Sequence, residues 1–131
     1  MSTEQQQAAR KELTQGLMTM MEGWGLSLDD IRTVLAIPVP VRKMDKFRRS
    51  EAFPDEEEVN KRIEHIVGIA EGLNTAHPTN NRMVIHWLKQ PNRKFNKRPP
   101  LESIVKDGLA GIVKVRAEVD CTFAWIENSA Y

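Results

Sequence analysis

Val59, Ile63, Ile66, Val67, Ala70 and Leu73 recur at steps of one, three and four, the spacing that lines one face of an α-helix and suits no strand. This is the strongest periodic signal in the chain, and it sets the class of fold. Asp55 and the glutamates at 56–58, behind Pro54, open that helix with the charge its N-terminus favours. A second stripe, Leu13, Leu17, Met20, Met21 and Trp24, ends between Gly23 and Gly25. Ser27 then reads as an N-cap, with Asp29 and Asp30 in the first turn and Leu28, Ile31, Val34 and Leu35 on the buried face. Pro38 stops this helix. No stretch alternates with a period of two, so the expected class is all-α, with about seven helices.

Punctuation defines the rest. Pro38-Val39-Pro40 turns the chain into a short basic helix over about residues 41–49. After the helix carrying Val59 to Leu73 comes a loop at 74–79, then a helix over 80–90 that buries Val84, Trp87 and Leu88. Pro91 ends it by keeping Gln90 out of the helical region. A basic loop follows, with Lys89, Arg93, Lys94, Lys97 and Arg98, and Asn96 tolerates a left-handed turn there. Pro100 opens a short helix to 107, and Gly108 separates it from a final helix over about 109–119 that looks apolar on most sides. The expected division is a front region, 1–78, and a rear region, 79–131.

At 131 residues, 40% hydrophobic and 28% charged, the chain has enough apolar content for one compact core or two small ones. The net charge of +1 means that any nucleic-acid surface depends on local clustering. A single cysteine, Cys121, and a polar N-terminus without an apolar run point to the cytoplasm and away from a membrane. His65, His77 and His86 lack metal-site spacing, Cys121 has no evident base beside it, and no phosphate-cradling glycine loop is present. The reading is of a non-enzyme with no cofactor and no metal.

Residues 27–50 have the layout of a helix-turn-helix. Arg42, Lys46 and Arg49 fall on one face of the second helix, with Lys43 and Arg48 beside them. Val41, Met44 and Phe47 supply the docking face. Against Asp45 alone, the five bases leave a local charge near +4, suited to phosphates. The plainer alternative is a solvated face whose charges pair with Glu51 and the glutamates at 56–58.

The order Trp87-Leu88…Pro91-Asn92…Pro99-Pro100-Leu101-Glu102…Gly108-Leu109…Val113-Lys114-Val115-Arg116 resembles the C-terminal module of the MbcA/ParS/Xre antitoxins. Trp24-Gly25-Leu26-Ser27 with Leu35-Ala36-Ile37 resembles their Xre-like front half. Three departures stand out. Asn96 replaces the usual Gly, Ala36-Ile37-Pro38 replaces a Leu-Gly-Val type of turn, and Asp120-Cys121-Thr122-Phe123-Ala124-Trp125 replaces an Arg- and Gly-rich end.

The resemblance implies an N-terminal helix-turn-helix bundle and a small helical toxin-binding unit. Its partner would be a RES-type toxin that consumes NAD or transfers part of it, blocked at its active site. Operator DNA would be bound by Arg42, Lys43, Lys46, Arg48 and Arg49, with autorepression by a homodimer. Partner anchors would be Arg98 and Arg116, with Phe123, Trp125 and Tyr131 of the tail. Those aromatics fit equally a place in the chain's own core or a homodimer. Two further readings stay open: a stand-alone transcriptional regulator, and an interaction adaptor without DNA binding.

Overall fold

The computed structural model describes the backbone of residues 2–129 and the side chains of residues 2–122. Among them are seven α-helices: α1 (Thr3–Gly23), α2 (Leu28–Leu35), α3 (Lys46–Arg49), α4 (Glu57–Ala76), α5 (Asn81–Lys89), α6 (Pro100–Lys106) and α7 (Gly108–Ser129). Two 3-10 turns, Val41–Lys43 and Arg93–Phe95, punctuate them. No strand occurs among the described residues, and the all-α expectation holds. The chain forms two compact units, Met1–Asn60 and Lys61–Tyr131, which divide inside α4. The division expected at 78/79 falls instead in the loop after that helix.

In the first unit, α2 starts as its sequence dictates. The Ser27 hydroxyl accepts from the Asp30 amide at 3.1 Å, and the Asp30 carboxylate accepts from the Ser27 amide at 3.0 Å. The helix ends at Ala36, which adopts a left-handed conformation with φ of 55°. Met18, Met21, Trp24, Ile31, Val34, Leu35, Met44, Phe47 and Phe53 are buried. Leu13, expected inside, is 39% exposed. Thr14 is buried in its place, and its hydroxyl donates to the Arg10 carbonyl and accepts from the Phe53 amide, both within 2.9 Å. Arg10 in turn donates to the carbonyls of Phe53 and Pro54 and to Asn60 at 2.6–2.9 Å, which ties down the segment leading to α4.

The expected single helix over 41–49 is a 3-10 turn followed by the one-turn α3. The Lys43 amide bonds to the Pro40 carbonyl, Met44 to Val41, Phe47 to Met44 and Arg48 to Asp45, each a step of three. The apolar residues sit three apart, which matches a 3-10 register in which i and i+3 eclipse. Met44 and Phe47 are thereby buried, while Val41 is left 43% exposed.

In the second unit, α4 runs to Ala76, beyond the expected loop boundary. Its inner face is Ile63, Ile66, Ile69, Ala70 and Leu73, with Val67 only half-buried. In α5 the buried residues are Val84 and Leu88, and Trp87, expected inside, is half-buried. Gln90 is extended before Pro91, as that proline requires. α6 opens with Pro100 at its first position and packs along α7. A side-chain carbon on Gly111 would overlap the Ser103 carbonyl oxygen, so glycine sets how closely these helices approach. α7 does not stop near 119: its backbone continues to Ser129. Nor is it apolar all round. Ile112, Val115 and Val119 are buried, whereas Val113 and Lys114 face solvent.

Candidate functional site

The front basic cluster is largely paired within its own unit. Asp45 lies one turn before Arg48 on α3, and they pair at 2.9 Å. Arg48 also pairs with Glu22 of α1, and its hydrogen bonds to that carboxylate raise the guanidinium pKa above its ordinary value. Arg49 meets Asp45 at 3.2 Å, and Lys46 meets Glu51 at 3.1 Å while lying 5.2 Å from the centre of the Phe47 ring. Among the described residues, Arg42 and Lys43 are exposed and make no ion pair. The Glu51 pairing is the one the plainer reading anticipates. Glu22, the acid that holds Arg48, was invisible to local spacing because it lies on another helix.

Exposed pairs of this kind contribute roughly 0–1 kcal/mol each, so a phosphate can compete for them. Arg42 and Lys43 need no such exchange. They form the available positive edge of the first unit.

In the second unit, the loop between α5 and α6 is locked by its own side chains. Phe95 is 1% exposed and anchors the turn. The Asn92 amide bonds to the Arg98 carbonyl at 3.2 Å, and the amides of Phe95 and Lys97 both reach the Asn92 carbonyl at 3.0 Å. Asn96 takes the expected left-handed conformation at φ 57°, and Lys97 unexpectedly follows it at φ 65°. Lys94 pairs with Glu118 at 2.7 Å, and Lys114 lies 5.4 Å from the centre of the Phe95 ring.

Arg98, expected as a partner anchor, pairs with Asp107 and lies 3.9 Å from Glu102. The hydrogen bonds from Arg98, and then from Ser103, hold the Asp107 carboxyl below its ordinary pKa. Those from Lys94 do the same for Glu118, with Thr122 adding to the effect. Arg98 is therefore engaged inside its own unit.

Arg116 is also engaged. Its guanidinium is 3.4 Å from the Glu64 carbonyl, 3.3 Å from His65 Nδ1 and 3.8 Å from Asp120. It lies over Gly68, where an added side-chain carbon would sit 2.6 Å from the guanidinium. The glycine thus gives α7's arginine room to cross α4. The remaining anchors, the side chains of Phe123 and Trp125 and the whole of Tyr131, lie outside the described residues.

Arg93, Asn96 and Lys97 of the loop line a surface depression of about 520 Å³. Among the described residues, no group of three His, Cys, Asp or Glu side chains is placed to hold a metal, and no helix is long and apolar enough to cross a membrane. Neither the protein-family models nor the curated proteins compared with this chain give a match.

Proposed function

We propose that the chain is an antitoxin: it binds a RES-type NAD-consuming or ADP-ribosylating enzyme and covers its active site. One observation carries the reading. The α5–loop–α6–α7 unit, whose sequence carries the family resemblance, is closed on itself: Phe95 is buried in the loop, and the Lys94–Glu118 and Arg98–Asp107 pairs tie the loop to α7 and to the end of α6. A surface ordered before binding loses little entropy when it docks, as an occluding protein needs. Its polar side chains serve this geometry, leaving the rim and the later turns of α7 for contact.

The test is co-expression with a RES enzyme, taken from a neighbouring gene if one encodes it. Cellular NAD should fall when the enzyme is produced alone, and recover, with the two proteins co-purifying, when this chain is present. Removing residues 120–131 should abolish that recovery. If the truncated chain still restores NAD, the contact lies earlier, on α7 near Arg116 or on the loop.

A second reading is favoured by Arg42 and Lys43, which are exposed and unpaired among the described residues. On this reading the first unit binds operator DNA, with or without an enzyme partner, and a homodimer supplies the paired contacts of a two-fold operator. Salt-sensitive operator binding in a chain that captures no enzyme would favour a stand-alone regulator. No DNA affinity at low salt would leave an interaction protein alone.

A further inference from the structure

The cations of the turn at 93–98 fall into two groups. Lys94 and Arg98 are held by Glu118 and Asp107. Both acids also accept within their own helix or its end: Glu118 from the Thr122 hydroxyl and Asp107 from the Ser103 hydroxyl, each at 2.9 Å. Glu102 is shared between Arg98 and Lys106 at 3.9 and 3.6 Å. Arg93 and Lys97 have no such counter-charge among the described residues, and with Asn96 they line the 520 Å³ depression. Two positive charges there are uncompensated.

The backbone adds a second observation. Asn96 suits its left-handed conformation, but Lys97, also left-handed at φ 65°, does not. Among the described residues its side chain makes no hydrogen bond or ion pair that would offset the strain. A strained residue with nothing to hold inside the fold is a candidate for work outside it.

We infer that the Arg93–Asn96–Lys97 depression binds the phosphomonoester group of a small molecule. A guanidinium fork, an ammonium and an amide NH₂ line this one depression as donors, and a tetrahedral dianion has three oxygens to receive them. A carboxylate has two oxygens and half the charge. The depression is open to solvent, so it suits an exposed phosphate head and not a buried organic body. Phe95, the aromatic ring of this loop, is buried and offers no face on which a base can stack. Recognition is therefore of the phosphate, whatever organic body carries it. The inference stands whether or not the chain blocks an enzyme.

Backbone amide spectra of the full chain, titrated with inorganic phosphate and with adenosine monophosphate, test it. Acetate at matched ionic strength and a single-stranded oligodeoxynucleotide serve as comparison arms. Both phosphate probes should give saturable shifts confined to residues 93–97. Arg93→Gln should weaken them about tenfold, the loss expected for one charge-assisted hydrogen bond. Lys97→Gly should weaken binding similarly yet raise the melting temperature, because glycine relieves the left-handed strain, so the loss cannot come from misfolding. Unchanged affinity in both variants would overturn the assignment, as would an equal response to acetate. Tighter saturable binding of the oligonucleotide than of either phosphate probe would overturn the small-molecule source.

Discussion

Ala36 carries the clearest single-residue strain in the first unit. It ends α2 in a left-handed conformation, φ 55°, where an L side chain is disfavoured by roughly 1–2 kcal/mol. Glycine there relieves the clash but adds freedom to the unfolded chain. Ala36→Gly is therefore expected to raise stability by about 1 kcal/mol, seen as a higher urea midpoint at an unchanged slope. Asp107 and Glu118 make a pH prediction. Both have folded pKa values below their ordinary ones, because Arg98 and Lys94 donate to their charged forms. Their contribution is thus complete above the ordinary carboxylate range and is lost as pH falls through the depressed values. Urea titrations from neutral pH downward should show stability declining in that window. Asp107→Asn with Glu118→Gln should flatten the decline, and an unchanged slope would show that neither pair matters to folding.

At the scale of an element, α5 and α7 differ most from a reading of periodicity. In α5, Leu88 is wholly buried and Trp87 half-buried. Leu88→Ala should cost about 2–5 kcal/mol, and Trp87→Ala less than the loss typical of a fully buried tryptophan. Equal or reversed losses in paired denaturation curves would put the helix in a different rotation. In α7, Gly111 faces the Ser103 carbonyl, so Gly111→Ala should separate α6 from α7 at a cost of about 1–3 kcal/mol. Alanine's better helix propensity would offset less than about 1 kcal/mol of this. The segment 41–49 teaches a related lesson. Val41, Met44 and Phe47, spaced by three, fit either a helical stripe or a 3-10 ridge, and the segment takes both, a 3-10 turn at Val41–Lys43 and an α-helical turn at Lys46–Arg49.

At the scale of the molecule, the proposed DNA contact has a quantitative consequence. If Arg42 and Lys43 each neutralise a phosphate, replacing both with Ala should lower the salt dependence of operator binding by about two units of log K per log salt. Lys46→Ala should change it less, because Lys46 exchanges Glu51 for the phosphate. Equal slopes in wild type and double variant would remove this edge from the interface.

Much of the architecture is legible in the sequence. Apolar spacing marks the helices. Ser27 and Asp30 mark a start, Pro91 and Pro100 mark an end and a beginning, and Asn96 marks a left-handed turn. All of these are local, set by φ limits, missing amides and neighbours within one turn. Tertiary packing alone assigned Arg98 to Asp107, Lys94 to Glu118, Arg48 to Glu22 and Arg116 to the surface above Gly68. Composition counts charges, but it cannot say which are spent on the fold and which are left for a ligand. That division depends on which distant acids the packed helices bring within reach.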